Sequence, residues 1–225
     1  MPLAYSDLVT STFSGIPPQA FNFYQRLIAN NTREWWTAHK SEYEQYVREP
    51  MLALLAELEA EFGTGHMFRP HRDTRFAKDK TPIKEHQGAV VEIEDAMGYY
   101  MQISASGLTI GGGWYSAQGQ QMQRYRNAVE SPVVVELERM LAQLGRKFTI
   151  DGDPVKTRPR GVAADHPKLE LMRFRRVTAM REYSADDWVR TAKTLNAVRS
   201  DWRALRPLVE FLADQVGPAE EPGRE

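Results

Sequence analysis

The chain has 225 residues, 42% hydrophobic and 10% aromatic, which is enough apolar material for one sizeable core or two small ones; one compact domain is expected. Its 29 Lys and Arg stand against 30 Asp and Glu, which excludes a generally basic nucleic-acid coat, and the lack of Cys removes disulfides, thiolate nucleophiles, iron–sulfur clusters and cysteine zinc sites. No apolar run approaches a spanning length and the amino terminus joins no basic segment to an apolar one, so the chain reads as soluble and cytoplasmic, with no membrane partner.

In chain order, Pro17 and Pro18 open a helical pattern through Ala20, Phe21, Tyr24, Leu27 and Ile28, closed by Asn30 and Asn31. Asn31 with Glu34 reads as a capping box for a second helix, whose stripe is Trp36, His39, Tyr43, Tyr46 and Val47. Pro50 suits the first turn of a third helix, which Gly63 and Gly65 end. The period then changes. "GAVVEIE" puts Ala89, Val91 and Ile93 on one face, and "YYMQISAS" and "GLTIGGG" follow as a meander of about three strands, with a turn at Asp95 to Gly98. "GGGWYS" reads as a tight turn from strand to helix. Helices over Met122 to Val129 and Val134 to Leu144 come next, then strands in "RKFTI" and "LMRFRRVTAMREY", then two closing helices, Ser184 to Asn196 and Arg199 to Val216. Strands clustered between helical ends predict an α+β fold, helices from both chain ends packed around an antiparallel or mixed sheet. The expected organisation is a flexible segment 1–12, a single domain 13–216 and a frayed tail 217–225.

Charge is unevenly spread. Residues 69–86, "RPHRDTRFAKDKTPIKEH", carry six basic and three acidic groups, and residues 156–176 carry seven and two, so the rest of the chain is acidic. Two basic islands in an acidic background point to a local anion site, and they are expected to border one concavity. In the first, Arg72, Arg75, Lys78, Lys80 and Lys84 supply guanidinium forks and ammonium groups suited to phosphate or carboxylate. If residues 72–76 are extended, Asp73 and Arg75 share a face and pair. At least one of Asp73 and Asp79 is expected to hold a cation of its own segment, because clustered cations need a neutralising partner. Lys80 reads as exposed; Arg75, beside Phe76, reads as partly buried. In the second island, "RFRRV" read as a strand turns Arg173 and Arg175 to one side, where they line a groove or guard an edge.

Other chemistries leave thinner traces. Gly111 and Gly113 lack the third glycine of a dinucleotide fingerprint and the Gly-Lys-Ser/Thr ending of a phosphate loop, so Trp114 and Tyr115 after them are either core residues or the roof of a planar ligand. The five His form no His-x-x-x-His pair, and neither a metal nor another cofactor is evident. No Gly-x-Ser-x-Gly elbow is present. His71, Asp73 and Asp79 are the acid–base candidates.

"NNTREWWTAHKSEY", "RDTRFAKDKTPIKEHQGA", "GYYMQISASGLTIGGGWY", "RNAV" and "RPRGVAADHP" occur here in the order seen in a widespread bacterial and fungal family catalogued as domain of unknown function 2461, which the chain resembles over roughly residues 13–215. The resemblance implies one intact domain and assigns no activity. Family members often read Arg-Phe-Ser-Lys-Asp-Lys-Thr-Pro-Tyr-Lys where this chain has "RFAKDKTPIK", so no hydroxyl stands at Ala77 or Ile83.

Three functions of different class fit these residues. The leading one is binding of a small phosphorylated or carboxylated ligand, with or without catalysis, in a basic pocket formed by the "RDTRFAKDKTPIK" loop and an Arg-rich carboxyl-terminal strand. The second is a nucleic-acid-binding module in which Phe68, Phe76, Trp114, Tyr115 and Phe174 stack bases beside the cations. The third is a scaffold or interaction domain whose ions only hold the fold.

Overall fold

In the computed structural model, which describes residues 12–75, 78–117 and 119–219, the amino-terminal third is helical because its apolar residues recur every three or four positions. Helix α1 (Pro18–Ala29) buries Ala20, Phe21, Phe23, Tyr24 and Leu27, while Ile28 stays half exposed. Helix α2 (Arg33–Tyr43) starts from Thr32, whose hydroxyl accepts the N–H of Trp35 at 3.1 Å. Thr32, not Asn31, is therefore the cap. Helix α3 (Glu49–Phe62) does not start afresh at Pro50; it continues α2 through a π-helical turn over Glu44–Arg48. Proline lacks the N–H that the carbonyl four residues back would accept, and a widened turn resolves this without breaking the rod. Gly63, at φ 97°, ends it.

The sheet has six strands in the order β1-β2-β3-β4-β6-β5, and the fold is α+β with helices packed around an antiparallel sheet. Strands β2 (His86–Glu94), β3 (Met97–Ser104) and β4 (Gly107–Trp114) form the expected meander, joined by turns of two residues that only antiparallel neighbours permit. A short edge strand β1 (His66–Met67) pairs antiparallel with β2, and β5 (Thr149–Asp151) with β6 (Val177–Ser184). Between β4 and β6 the approach runs antiparallel too: a Cβ on Gly113 would meet Val177 O at 2.1 Å, and one on Gly111 would meet Ala179 O at 2.9 Å. These glycines lie inside a strand, not in a strand-to-helix turn. The backbone of β6 and the sulfur of Met180 occupy the space where side chains would stand. Strand β2 also departs from simple alternation, since residues 87–91 are all buried and Ile93 is exposed.

Helices α4 (Gly119–Glu130), α5 (Val134–Leu144) and the short α6 (Leu169–Met172) follow, and the closing helix α7 (Lys193–Val216) is one element rather than two. The first of the two closing helices is replaced by a single 3-10 turn, Asp187–Arg190, and α7 runs on through Pro207. Among the described residues no helix is long and apolar enough to cross a membrane.

Contacts divide the chain into two compact units. The first comprises Met1–Val91, Tyr100–Ile110 and Glu182–Ser200. Its core is aromatic at one end, where Phe23 meets Tyr24 edge-on at 5.3 Å and Trp36 meets Tyr43 at 4.9 Å, and aliphatic at the other through Val47, Leu54, Leu55 and Leu58. The second comprises Glu92–Tyr99, Gly111–Arg181 and Asp201–Glu225. Here Tyr99 stacks on Trp202 at 5.4 Å, Trp114 packs on Tyr125 at 5.5 Å, and the nearly buried Asp201 is met by Arg181 at 3.2 Å.

Candidate functional site

The charged loop is held by a small ladder. Arg72 N–H donates to Pro82 O at 2.9 Å and Lys84 N–H to Pro70 O at 2.8 Å, flanking the His71–Ile83 bridge. In an antiparallel pair of this kind the N–H and C=O of the central residues point outward, away from each other. Ile83 would be left with an unmet N–H, and a carbonyl served only by Arg72 Nε, beside a buried side chain. Asn31 meets both: its Nδ2 donates to Ile83 O at 2.9 Å and its Oδ1 accepts Ile83 N–H at 3.1 Å. That is why Asn31 is not the cap of α2; its amide is spent across 52 residues of sequence.

Within the loop each acid is matched by an Arg. Arg72 Nη1 lies 2.6 Å from Asp79, its Nε donates to Ile83 O at 3.1 Å, and its Nη2 is 3.8 Å from Glu85. Asp79 also accepts the N–H and hydroxyl of Thr81, at 2.9 and 2.8 Å; chiefly these bonds, then Arg72, hold its carboxyl below the usual range. Arg75 and Asp73 pair at 2.6 Å, as their shared face suggests, and Arg75 lowers the Asp73 pKa. Both acids thus hold a cation of their own segment, and both stay ionised near neutrality, which makes them poor proton donors. Arg75 is not partly buried, however: its side chain is 78% exposed. Lys80 is exposed and folds back to donate to Thr74 O at 2.9 Å. Phe76 and Ala77 lie outside the described residues.

Beside this loop is a pocket of about 380 Å³. Trp36, Pro82 and Ile83 form its apolar wall, and Arg33, Thr37, His71, Arg72 and Thr74 its polar lining. His71 meets the Trp36 ring edge-on at 5.7 Å. Arg33, in the first turn of α2, has no carboxylate partner among the described residues. Arg72, by contrast, is fixed by its own. Arg33 and Thr37 were not singled out by sequence, and Asn31 only as a helix cap, since a lone Arg at a helix start carries no signal until its lack of a partner is known. Lys78 is exposed and likewise unpaired among the described residues. Lys84 stands 5.4 Å from the Phe68 ring centroid and is not part of the pocket lining. Among the described residues no three His, Asp or Glu side chains gather closely enough to hold a metal ion.

The remaining candidates belong to the second unit. Trp114 is fully buried, with no open ring face to roof a ligand. Tyr115 is exposed and donates its hydroxyl to Glu92; burial first, then this carboxylate, raises its pKa. Arg173 and Arg175 do not lie in a strand, because β6 begins only at Val177. Arg173 ends α6. Its Nε donates to Val155 O at 2.9 Å and its Nη1 lies 3.2 Å from Glu170; Arg175 lies 2.7 Å from Asp153, and Arg176 is bound to Asp151.

The chain belongs to the DUF2461 family of conserved hypothetical proteins, whose model matches residues 19–211. No curated protein and no solved structure matches it.

Proposed function

We propose that the chain binds a small phosphorylated or carboxylated ligand in the pocket beside the charged loop. The observation that carries this reading is the contrast between two guanidinium groups on one pocket: Arg72 is neutralised and fixed by Asp79, while Arg33 has no carboxylate among the described residues. A guanidinium with free donors at a pocket mouth is a ready partner for phosphate or carboxylate oxygens. The hydroxyl of Thr74 and the ring of His71 add short-range polar groups, the Thr37 hydroxyl being donated to Arg33 O at 2.9 Å, and Trp36 supplies an apolar wall, the mixture common in small-molecule sites. A volume of about 380 Å³ suits a metabolite-sized anion.

Thermal melts test this at constant ionic strength with phosphate, nucleotides and a mixed oligonucleotide. A ligand at a hundredfold its Kd adds about 2.7 kcal/mol. In a chain of this size that is a rise of roughly 5–10 °C. Arg33→Gln should keep the unliganded Tm and lose the rise. No shift with any anion, or an equal shift in Arg33→Gln, refutes the pocket reading. A shift with the oligonucleotide alone, collapsing steeply with salt, would favour the nucleic-acid alternative.

A further inference from the structure

The pocket beside the charged loop holds one side chain whose charge is conditional. Of the five imidazoles, His71 alone lines it. His39 donates Nδ1–H to Trp35 O at 2.8 Å and stands 3.9 Å from Glu42, His66 lies edge-on to Phe68 at 5.5 Å, and His166 accepts the N–H of Lys168 at 3.1 Å. His86 is half-buried on β2, outside the lining. The backbone of His71 is pinned by the bridge to Ile83 and its ring rests against Trp36 at 5.7 Å, yet both ring nitrogens are without a hydrogen-bond or carboxylate partner among the described residues. The charges around it sort by whether they are already matched. From α2 comes Arg33, which has no carboxylate partner among the described residues. From the loop come Arg72, matched by Asp79 at 2.6 Å with Glu85 at 3.8 Å, the Asp73–Arg75 pair, and Lys80, bound to Thr74 O. From the facing segment comes Lys84, whose ammonium lies over the Phe68 ring. The lining therefore carries one uncompensated fixed charge, Arg33, and a second whenever His71 is protonated.

We propose that the ligand of this pocket is a tetrahedral dianion, a phosphate monoester rather than a carboxylate, and that protonation of His71 strengthens its binding; this rests on the pocket reading above and narrows it. A monoanion is balanced by Arg33 alone, whereas a dianion keeps one charge unmatched until the imidazolium forms. The three terminal oxygens of a phosphate monoester can take the Arg33 fork, a His71 N–H and the Thr74 hydroxyl together, and a planar carboxylate has only two oxygens to share among them. Imidazole is the side chain that ordinarily gains its proton between about pH 8 and about pH 5, and a dianion beside it favours the charged form. Linkage fixes the sign. The dianion binds more tightly as pH falls, and its binding draws a proton onto His71.

Calorimetric titration of the whole chain at constant ionic strength tests this with two probes: sulfate, a tetrahedral dianion whose charge is fixed across the range, and methyl sulfate, its monoanionic counterpart. Sulfate affinity should rise about tenfold or more between about pH 8 and about pH 5.5, and methyl sulfate affinity distinctly less. Near the middle of that range sulfate binding should take up a proton, read from the heats in buffers of different ionisation enthalpy. His71→Gln should lose both the rise and the proton uptake; His86→Gln, outside the lining, should keep both. A sulfate affinity that does not change with pH, an equal rise with methyl sulfate, or a rise that survives His71→Gln overturns this proposal and leaves an anion pocket in place. Sulfate binding that Arg33→Gln does not weaken, or no binding at either pH, overturns the pocket reading and this proposal with it.

Discussion

The loop 69–85 and the segment 173–176 are both rich in cations, yet the structure uses them differently. In the segment every Arg is spent. Arg173 spans Val155 O and Glu170, Arg175 holds the carbonyl and carboxylate of Asp153, and Arg176 holds Asp151; the backbone adds Arg175 N–H to Gly152 O at 2.8 Å and Val155 N–H to Arg173 O at 2.9 Å. This is a clasp that closes the turn after β5 onto the entry to β6. In and around the loop, Arg72 and Arg75 are paired, but Arg33, Arg69, Lys78 and Lys84 have no carboxylate among the described residues. Density of charge is therefore a poor guide to function, and the pairing state of each cation is a better one.

The largest effect should come from the loop's anchor. Asn31→Ala removes two hydrogen bonds and strands the N–H of Ile83, a residue only 1% exposed, although Ile83 O keeps Arg72 Nε. The expected cost is about 2–3 kcal/mol in urea denaturation. The anion-dependent Tm rise should be lost with it, because the pocket wall moves. A cost indistinguishable from zero would mean that the loop is held elsewhere.

The segment should respond next. Arg173, with a side chain 26% exposed, satisfies Val155 O as well as meeting Glu170. Arg173→Ala should cost about 1–2 kcal/mol, mostly for the unmet carbonyl. Unlike Asn31→Ala, it should leave any anion-dependent rise intact. If Arg173→Ala abolished that rise while preserving the fold, the contrast between clasp and site would fail.

How far the sequence reaches follows from the range over which each signal acts. Local periodicity found α1, α3, α5 and the meander, since burying one face of a helix or strand needs no knowledge of the partner. It misread the glycines of β4, whose turn propensity is overridden by the approach of Val177 and Met180 from β6. It misread Arg173 to Arg176 as strand because alternation was inferred across a segment whose residues face the 151–156 turn. "DGDP" supplies the acids that meet Arg175 and Arg176, and matching those charges would have suggested a clasp. The Asp73–Arg75 pair was legible because it spans two residues. Arg33 was not, because a guanidinium without a partner is defined by everything that fails to reach it in three dimensions.

The smallest effect separates pairing from worth. Arg75 and Asp73 make a close ion pair, but the Arg75 side chain is 78% exposed, where solvent and salt screen the attraction and holding two side chains in one geometry offsets most of the gain. Arg75→Ala should leave Tm at pH 7 unchanged within the scatter of repeat melts. The local signature should still be plain. In the folded chain Arg75 keeps the Asp73 carboxyl below the ordinary carboxylate range, so the pair's small contribution is present above that range and fades as pH falls through the depressed pKa. Removing the guanidinium should move the Asp73 carboxyl titration, followed by NMR, upward toward the ordinary carboxylate range, while Asp79, held chiefly by Thr81, should not move. A shift at Asp79 of the same size would show that the loop titrates as one network. A loss of Tm comparable to that of Arg173→Ala would show that exposure is the wrong measure of what a cation contributes here.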